Sequence, residues 1–166
     1  SWVSSSSRPE VVVSAVEHPS VLAWATRVIP VDGQGQVRLD ALSDALDDQV
    51  GMISVMAANN ETGVIQPVAE VAKLAKARGI PLHCDASQLP GRMPVELDAD
   101  MITLAGHKFG APPGVGALIS DAPPPPLLRG GGQERGRRAG THNLPGIVAM
   151  GAAAELVDAC GLIQPD

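Results

Sequence analysis

Lys108 directly follows His107, and both come at the end of the apolar run Met101 to Ala105. Asp85, with Gln88 three residues on, follows the apolar run Ile80 to Cys84. Asn60 comes after Met52 to Ala58, and His18 after Val11 to Val16. Each has an ordinary explanation when it stands alone. A His or Asn beyond a strand is usually a loop or turn residue, and a single Lys is usually solvated. Polar groups with this range of chemistry at the ends of four apolar runs are harder to assign to coincidence.

An amine in a pocket condenses with a carbonyl to a Schiff base, and an imidazole stacks or moves protons. A carboxylate can hold the proton of a ring nitrogen, and amides tune a nearby oxygen. This set of groups suits pyridoxal 5'-phosphate (PLP), whose aldehyde takes a lysine and whose pyridine nitrogen needs an acid partner to make the ring an electron sink. On that reading Lys108 carries the cofactor and Asp85 supplies the acid partner. Asn60 and Gln88 serve the phenolic oxygen.

Such groups converge only if the elements beneath them put them on one edge. The β-branched run Val11 to Val16 predicts a strand stopped by Pro19, with a helix starting near Ser20. Val28 to Val31 predicts a second strand, Asp32-Gly33-Gln34-Gly35 a turn, and Asp40 the cap of a helix through Leu42, Ala45 and Leu46. Met52 to Ala58 is of strand length and ends abruptly at Asn59-Asn60-Glu61-Thr62-Gly63. Helical spacing returns at Val68, Val71, Ala72 and Ala75, with Lys73, Lys76 and Arg78 facing away and Gly79 as the stop. Ile80 to Cys84, Met101 to Ala105 and Val115 to Ile119 predict three more strands, and residues 144–159 a closing helix. Near-continuous apolar strands between amphipathic helices predict an α/β fold, a three-layer α/β/α sandwich on a mostly parallel sheet. In such a sheet ligands bind beyond the carboxyl ends of the strands, which is where these polar residues fall.

The 166 residues suffice for one core, and 45% apolar against 18% charged residues exclude wholesale disorder. A net charge of −6 with 12 Lys plus Arg argues against nucleic-acid binding. The one dense basic cluster, Arg135, Arg137 and Arg138, is either a solvated loop or an anion or interface contact. Cys84 and Cys160 form neither a disulfide framework nor a metal-ligand spacing, so no metal site is expected. The absence of a bilayer-length apolar run or signal-peptide pattern predicts a cytoplasmic protein without membrane partners. A dinucleotide fold is disfavoured because no Gly-rich strand-to-helix turn of that type is present.

Glu17-His18, Asn59-Asn60-Glu61-Thr62-Gly63, His83-Cys84-Asp85-Ala86-Ser87-Gln88, Gly106-His107-Lys108 and Arg138-Ala139-Gly140-Thr141, in that order, resemble the cysteine desulfurases of the class V aminotransferase superfamily, in the branch serving nitrogenase or general iron-sulfur assembly. The likeness covers nearly the whole chain. It implies the large domain of a fold type I PLP transferase, incomplete here, with residues 1–166 a partial PLP-binding domain. It implies Lys108 and His18 as catalytic residues, His18 stacking on the cofactor ring. The same resemblance gives Asp85 at the pyridine nitrogen, Gln88 and Asn60 at the phenolic oxygen and His107 at the phosphate. Thr141 would reach the phosphate of a neighbouring subunit, making the protein a homodimer. The implied reaction takes sulfur from L-cysteine to an enzyme persulfide, leaving L-alanine, with a sulfur-acceptor or scaffold protein as partner.

The sequence departs from the pattern at Ala105, where many relatives carry a phosphate-binding Ser. A leading phosphate-binding segment and the small C-terminal domain, with its cysteine loop and substrate arginine, are expected to lie outside this chain. That expectation makes the chain inactive alone, with an open edge at Val115 to Ile119 and a tendency to associate. Cys84 reads as core and Cys160 as a helix residue, so neither is expected to be the persulfide nucleophile. The rival readings are another class V enzyme, such as a selenocysteine lyase or aminotransferase, and a catalytically silent interaction module.

Overall fold

The computed structural model describes residues 8–95, 97–122 and 124–159. In chain order the elements are β1 (Glu10–Ser14), α1 (Pro19–Leu22), β2 (Arg27–Ile29), α2 (Leu39–Ala45), β3 (Val50–Ser54), α3 (Val68–Ala77), β4 (Leu82–Asp85), β5 (Met101–Ala105), β6 (Gly116–Ile119) and α4 (Leu144–Ala159). One six-stranded sheet has the order β2-β1-β3-β4-β5-β6. The first five strands run parallel, while β6 returns antiparallel on β5 and forms an edge. The α/β architecture and mostly parallel sheet expected from the hydrophobic pattern are therefore present.

Strand alternation sorts the residues into two faces. Val12, Ile53, Leu82, Cys84 and Ile102 point to one side, where they form the core with Leu42 in the middle of α2 and Leu46 just beyond its end, and with Val71, Ala72 and Ala75 of α3. Each large apolar side chain buried there stabilises the fold by about 1.5–3 kcal/mol. The exposed Lys73, Lys76 and Arg78 lie on the outer side of α3 and just beyond it, and Gly79 follows with φ +59, the left-handed conformation of a helix stop. The other face carries Val13, Ser54, His83, Asp85 and Thr103, a more polar series. Helix α4 approaches the loops beyond β4 and β5, with Val157 over Gly91 and Ala153 over Gly110.

Strand β1 ends at Ser14, two residues before the expected Val16, and β4 runs Leu82–Asp85 where Ile80 to Cys84 was expected; three further differences have a local reason. Asp40 does not cap α2. Arg38 occupies the N-cap without a side-chain bond, and Asp40 lies in the first turn, ion-paired to Arg38. Strand β2 ends at Ile29 because Pro30 lacks a donor, and Val31 pairs instead with Val37 across the Asp32 turn. Strand β3 is assigned only to Ser54, yet its backbone bonding continues, with Val55 N–H donating to His83 O (3.1 Å) and Ala57 N–H to Asp85 O (2.9 Å). This extension carries the chain to Asn59 beside the end of β4.

Candidate active site

Asp85 is the last residue of β4, half-buried, and its Oδ1 accepts from Ser87 N–H at 3.0 Å. That bond folds the chain over the strand end and brings Gln88 back beside it. Lys108 closes a single 3₁₀ turn, Gly106–Lys108, which follows β5 without a linker. Gly106 fits closely there, since a Cβ would lie only 3.0 Å from Ala111 Cβ, Val115 Cγ1 and Val115 O, and its neighbours would have to give way. The Arg92 guanidinium donates to Lys108 O (3.2 Å) and Gln88 O (3.4 Å), bridging the two loops.

The Asn-Asn-Glu-Thr-Gly motif divides its labour. Asn59 is buried and acts as a scaffold, its Oδ1 accepting from Glu61 N–H, Thr62 N–H and the Thr62 hydroxyl at 2.8–3.0 Å, its amide donating to Val16 O at 2.9 Å. Gly63, at φ +74, lets the chain reverse. Asn60 is thereby left exposed and turned into the cleft.

His18, Asn60, Asp85, Gln88, His107 and Lys108 together line one cleft of about 380 Å³, shared with Ser20, Met56, His83, Thr103 and Ala105. Thr141 is the exception. It is exposed, outside the cleft, on a loop where Arg138 donates to Gly140 O (3.2 Å) and Thr141 O (3.5 Å) and His142 Nε2 lies 3.0 Å from Glu134 Oε1.

Two cleft-side residues escaped the sequence reading of roles. His83 lies two positions before Asp85 on the same strand face. Its Nδ1 is 2.7 Å from Ser54 Oγ and its Nε2 3.1 Å from Thr103 Oγ1, so it spans three adjacent strands. Burial holds its pKa below the ordinary histidine value, against the opposing pull of the Asp85 charge. Glu17 is buried, and its Oε1 accepts from Met56 N–H (2.6 Å) and the Ser14 hydroxyl (2.8 Å). Its Oε2 is buried without a partner. Burial pushes the carboxyl up to about 7, assisted by the charge of Asp85 and opposed by those two hydrogen bonds. A strand-parity argument from Asp85 would have found His83, whereas nothing in the pattern marks Glu17 as buried.

Cys84 faces the core, fully buried, and burial pushes its thiol up to about 12. It is no nucleophile at neutral pH. Cys160 lies outside the described residues.

Comparison with known proteins places this cleft in context. The family model for Aminotransferase class-V matches residues 3–164. The chain belongs to that family. A cysteine desulfurase of Sinorhizobium fredii is 48% identical over 168 residues, covering 92% of this chain and 43% of the relative. The structure of a NifS-like protein from Rickettsia africae superposes with a TM-score of 0.84 at 36% identity, covering 90% of this chain and 45% of that one. A structure described as SspA in complex with cysteine gives a TM-score of 0.79 at 32% identity over 88% of this chain and 47% of the other. The chain thus spans less than half the length of these class V relatives. Among the described residues no helix is long and apolar enough to cross a membrane.

Proposed function

We propose that this chain forms the PLP-binding part of a cysteine desulfurase. The observation that carries the proposal is the convergence of Asp85 and Lys108, from two adjacent strand ends, with His18, Asn60, Gln88 and His107 in one cleft. The cleft volume lies within the ~300–1,000 Å³ of small-molecule sites. These six residues offer one amine, one carboxylate, two amides and two imidazoles, which fits a cofactor with an aldehyde, a ring nitrogen, a phenolic oxygen and a phosphate. No other strand end among the described residues offers an amine beside an acid.

When bound, PLP would supply an electron sink for the bond changes at the substrate carbon. The chain's own residues divide the remaining work. Lys108 holds the cofactor and then moves a proton at the substrate Cα. Asp85 would keep the ring nitrogen's proton in place, and among the described residues no ion pair engages its carboxylate, which leaves its charge available for that purpose. Asn60 and Gln88 would donate toward the phenolic oxygen and His107 toward the phosphate, and His18 would stack on the ring.

The overall change is L-cysteine plus an enzyme thiol giving L-alanine plus an enzyme persulfide. The accepting thiol is not among the described residues, since Cys84 is buried with its pKa near 12. Thr141 is exposed and does not line this cleft, and its loop would serve the equivalent site of a second copy, making the working form a homodimer. A sulfur-acceptor or scaffold protein of iron-sulfur assembly, in the cytoplasm, takes the persulfide sulfur.

The test is made on the complete polypeptide, supplied with L-cysteine, PLP and a thiol reductant. Alanine and sulfide should appear in equal amounts, and Lys108→Ala should abolish both. Transfer of the amino group to a keto acid without sulfide release would replace this reading with an aminotransferase.

A further inference from the structure

The loop after β1 ends on His18, which takes extended backbone angles (φ −60, ψ 146) and caps α1 with its own side chain. Its Nδ1 lies 3.3 Å from the backbone N of Ser20 and 2.7 Å from the Ser20 hydroxyl oxygen. A backbone N–H can only donate, so Nδ1 must offer its lone pair and cannot carry a proton. The hydroxyl, facing a nitrogen that has only a lone pair to give, must donate as well. The proton of the neutral ring is therefore on Nε2. Among the described residues Nε2 has no hydrogen-bond partner, and both His18 and Ser20 line the cleft shared with Asp85 and Lys108.

We infer that Ser20 is a positioning residue that fixes His18 in the Nε2–H form, so that His18 presents a hydrogen-bond donor, not a proton acceptor, to the occupant of the cleft. The identity of that occupant rests on the proposed PLP function, while the tautomer is a property of this chain alone. The consequence for chemistry is a division of roles. An imidazole whose lone pair is already taken by Ser20 can stack on a ring and donate to an oxygen or sulfur of a bound amino acid. It cannot accept a proton through Nε2 until it has given one up there. Proton removal in the cleft consequently falls to Lys108, with His18 acting as donor.

Ser20 contributes two separable bonds. Its N–H belongs to the first turn of α1 and survives any substitution except proline, whereas its hydroxyl makes the shorter contact. Ser20→Ala thus removes the hydroxyl bond while the cap and the turn remain. Ser20→Thr keeps the hydroxyl.

The tautomer can be read on the chain without cofactor, by long-range proton–nitrogen correlation on material with ¹⁵N-labelled histidine at a pH where the ring is neutral. The four histidines give few signals, and His18 is assigned by its disappearance in His18→Gln. The wild type should show an acceptor-type Nδ1 and a protonated Nε2. In Ser20→Ala the ratio of Nε2–H to Nδ1–H forms should fall about five-fold, the weight of one net neutral hydrogen bond, with the far-ultraviolet circular dichroism unchanged. Ser20→Thr should restore the wild-type ratio. A wild-type His18 protonated on Nδ1 overturns the inference, as does an unchanged ratio in Ser20→Ala or a failure of Ser20→Thr to restore it. Failure of the PLP reading looks different, because borohydride fixation would then leave Lys108 unlabelled whatever the His18 tautomer.

Discussion

Glu17 offers a direct test of the electrostatics beneath the cleft. Its Oε1 is satisfied twice, by Met56 N–H and the Ser14 hydroxyl, but Oε2 is buried with no partner. The ionised form is therefore penalised, and the carboxyl titrates at about 7 where the unperturbed group titrates at 4.5. At ~1.4 kcal/mol per pH unit this interval corresponds to about 3 kcal/mol of stability. The sign follows from proton binding. Between pH 4.5 and about 7 the folded chain holds the Glu17 proton and the unfolded chain does not, so stability falls as pH rises through that window and levels off above it.

Glu17→Gln removes the titration while keeping a carbonyl oxygen for both donors. The difference in unfolding free energy between variant and wild type should therefore grow in favour of the variant as pH rises. Urea unfolding followed by circular dichroism between about pH 5.5 and 8 keeps clear of the isoelectric point near 5.1. About 2 of the ~3 kcal/mol should develop inside that range. The buried amide nitrogen of Gln has no partner either, but that cost is independent of pH and shifts the two curves without changing their divergence. Parallel curves would refute the buried, unpartnered placement of Oε2.

The chain has three lysines, and borohydride fixation of bound PLP should label Lys108 and leave Lys73 and Lys76 unmodified on peptide mapping, with the label lost in Lys108→Ala. Asp85→Ala should lower alanine formation by the complete polypeptide about 100-fold or more while costing only about 1 kcal/mol of stability, because the carboxylate's hydrogen bond is to Ser87 N–H at 3.0 Å; equal losses of turnover and stability would contradict a chemical role. Ala105→Ser should tighten PLP binding about ten-fold in a fluorescence titration, since a hydroxyl in the cleft wall adds one bond to an anion; an unchanged Kd would place the phosphate elsewhere. Cys84 should resist alkylation in the native chain and react only on unfolding, as judged by mass spectrometry.

The fold was legible wherever apolar runs ended in abrupt polarity. Met101–Ala105 and Leu144–Ala159 fall at the positions the pattern predicted, because Gly106 and Asn143 supply sharp local boundaries. Boundaries slipped where two signals competed. Asp40 has the chemistry of a cap, but Arg38 lies two residues before it and captures the carboxylate, so the helix begins without a side-chain cap. Run length also misled at Met52 to Ala58, where a strand of regular assignment gives way at Val55 to chain that still bonds to β4.

The site was legible for a different reason. Six of its residues stand at strand ends, and in a parallel sheet strand ends share one edge whatever the intervening helices do. What the pattern could not give is which polar residues turn inward. Glu17 and His18 are neighbours in sequence, yet Glu17 passes beneath the chain to meet Met56 N–H while His18 caps α1 and faces the cleft. The same split separates the buried Asn59 from the exposed Asn60. In both pairs one residue spends its hydrogen bonds on holding the strand-end loops together, and among the described residues that leaves the Nε2 of His18 and the side-chain amide of Asn60 unclaimed at the cleft. The paired motifs are therefore better understood as a scaffold residue followed by a working one, and substitutions at Glu17 or Asn59 should disturb the cleft through the position of His18 or Asn60.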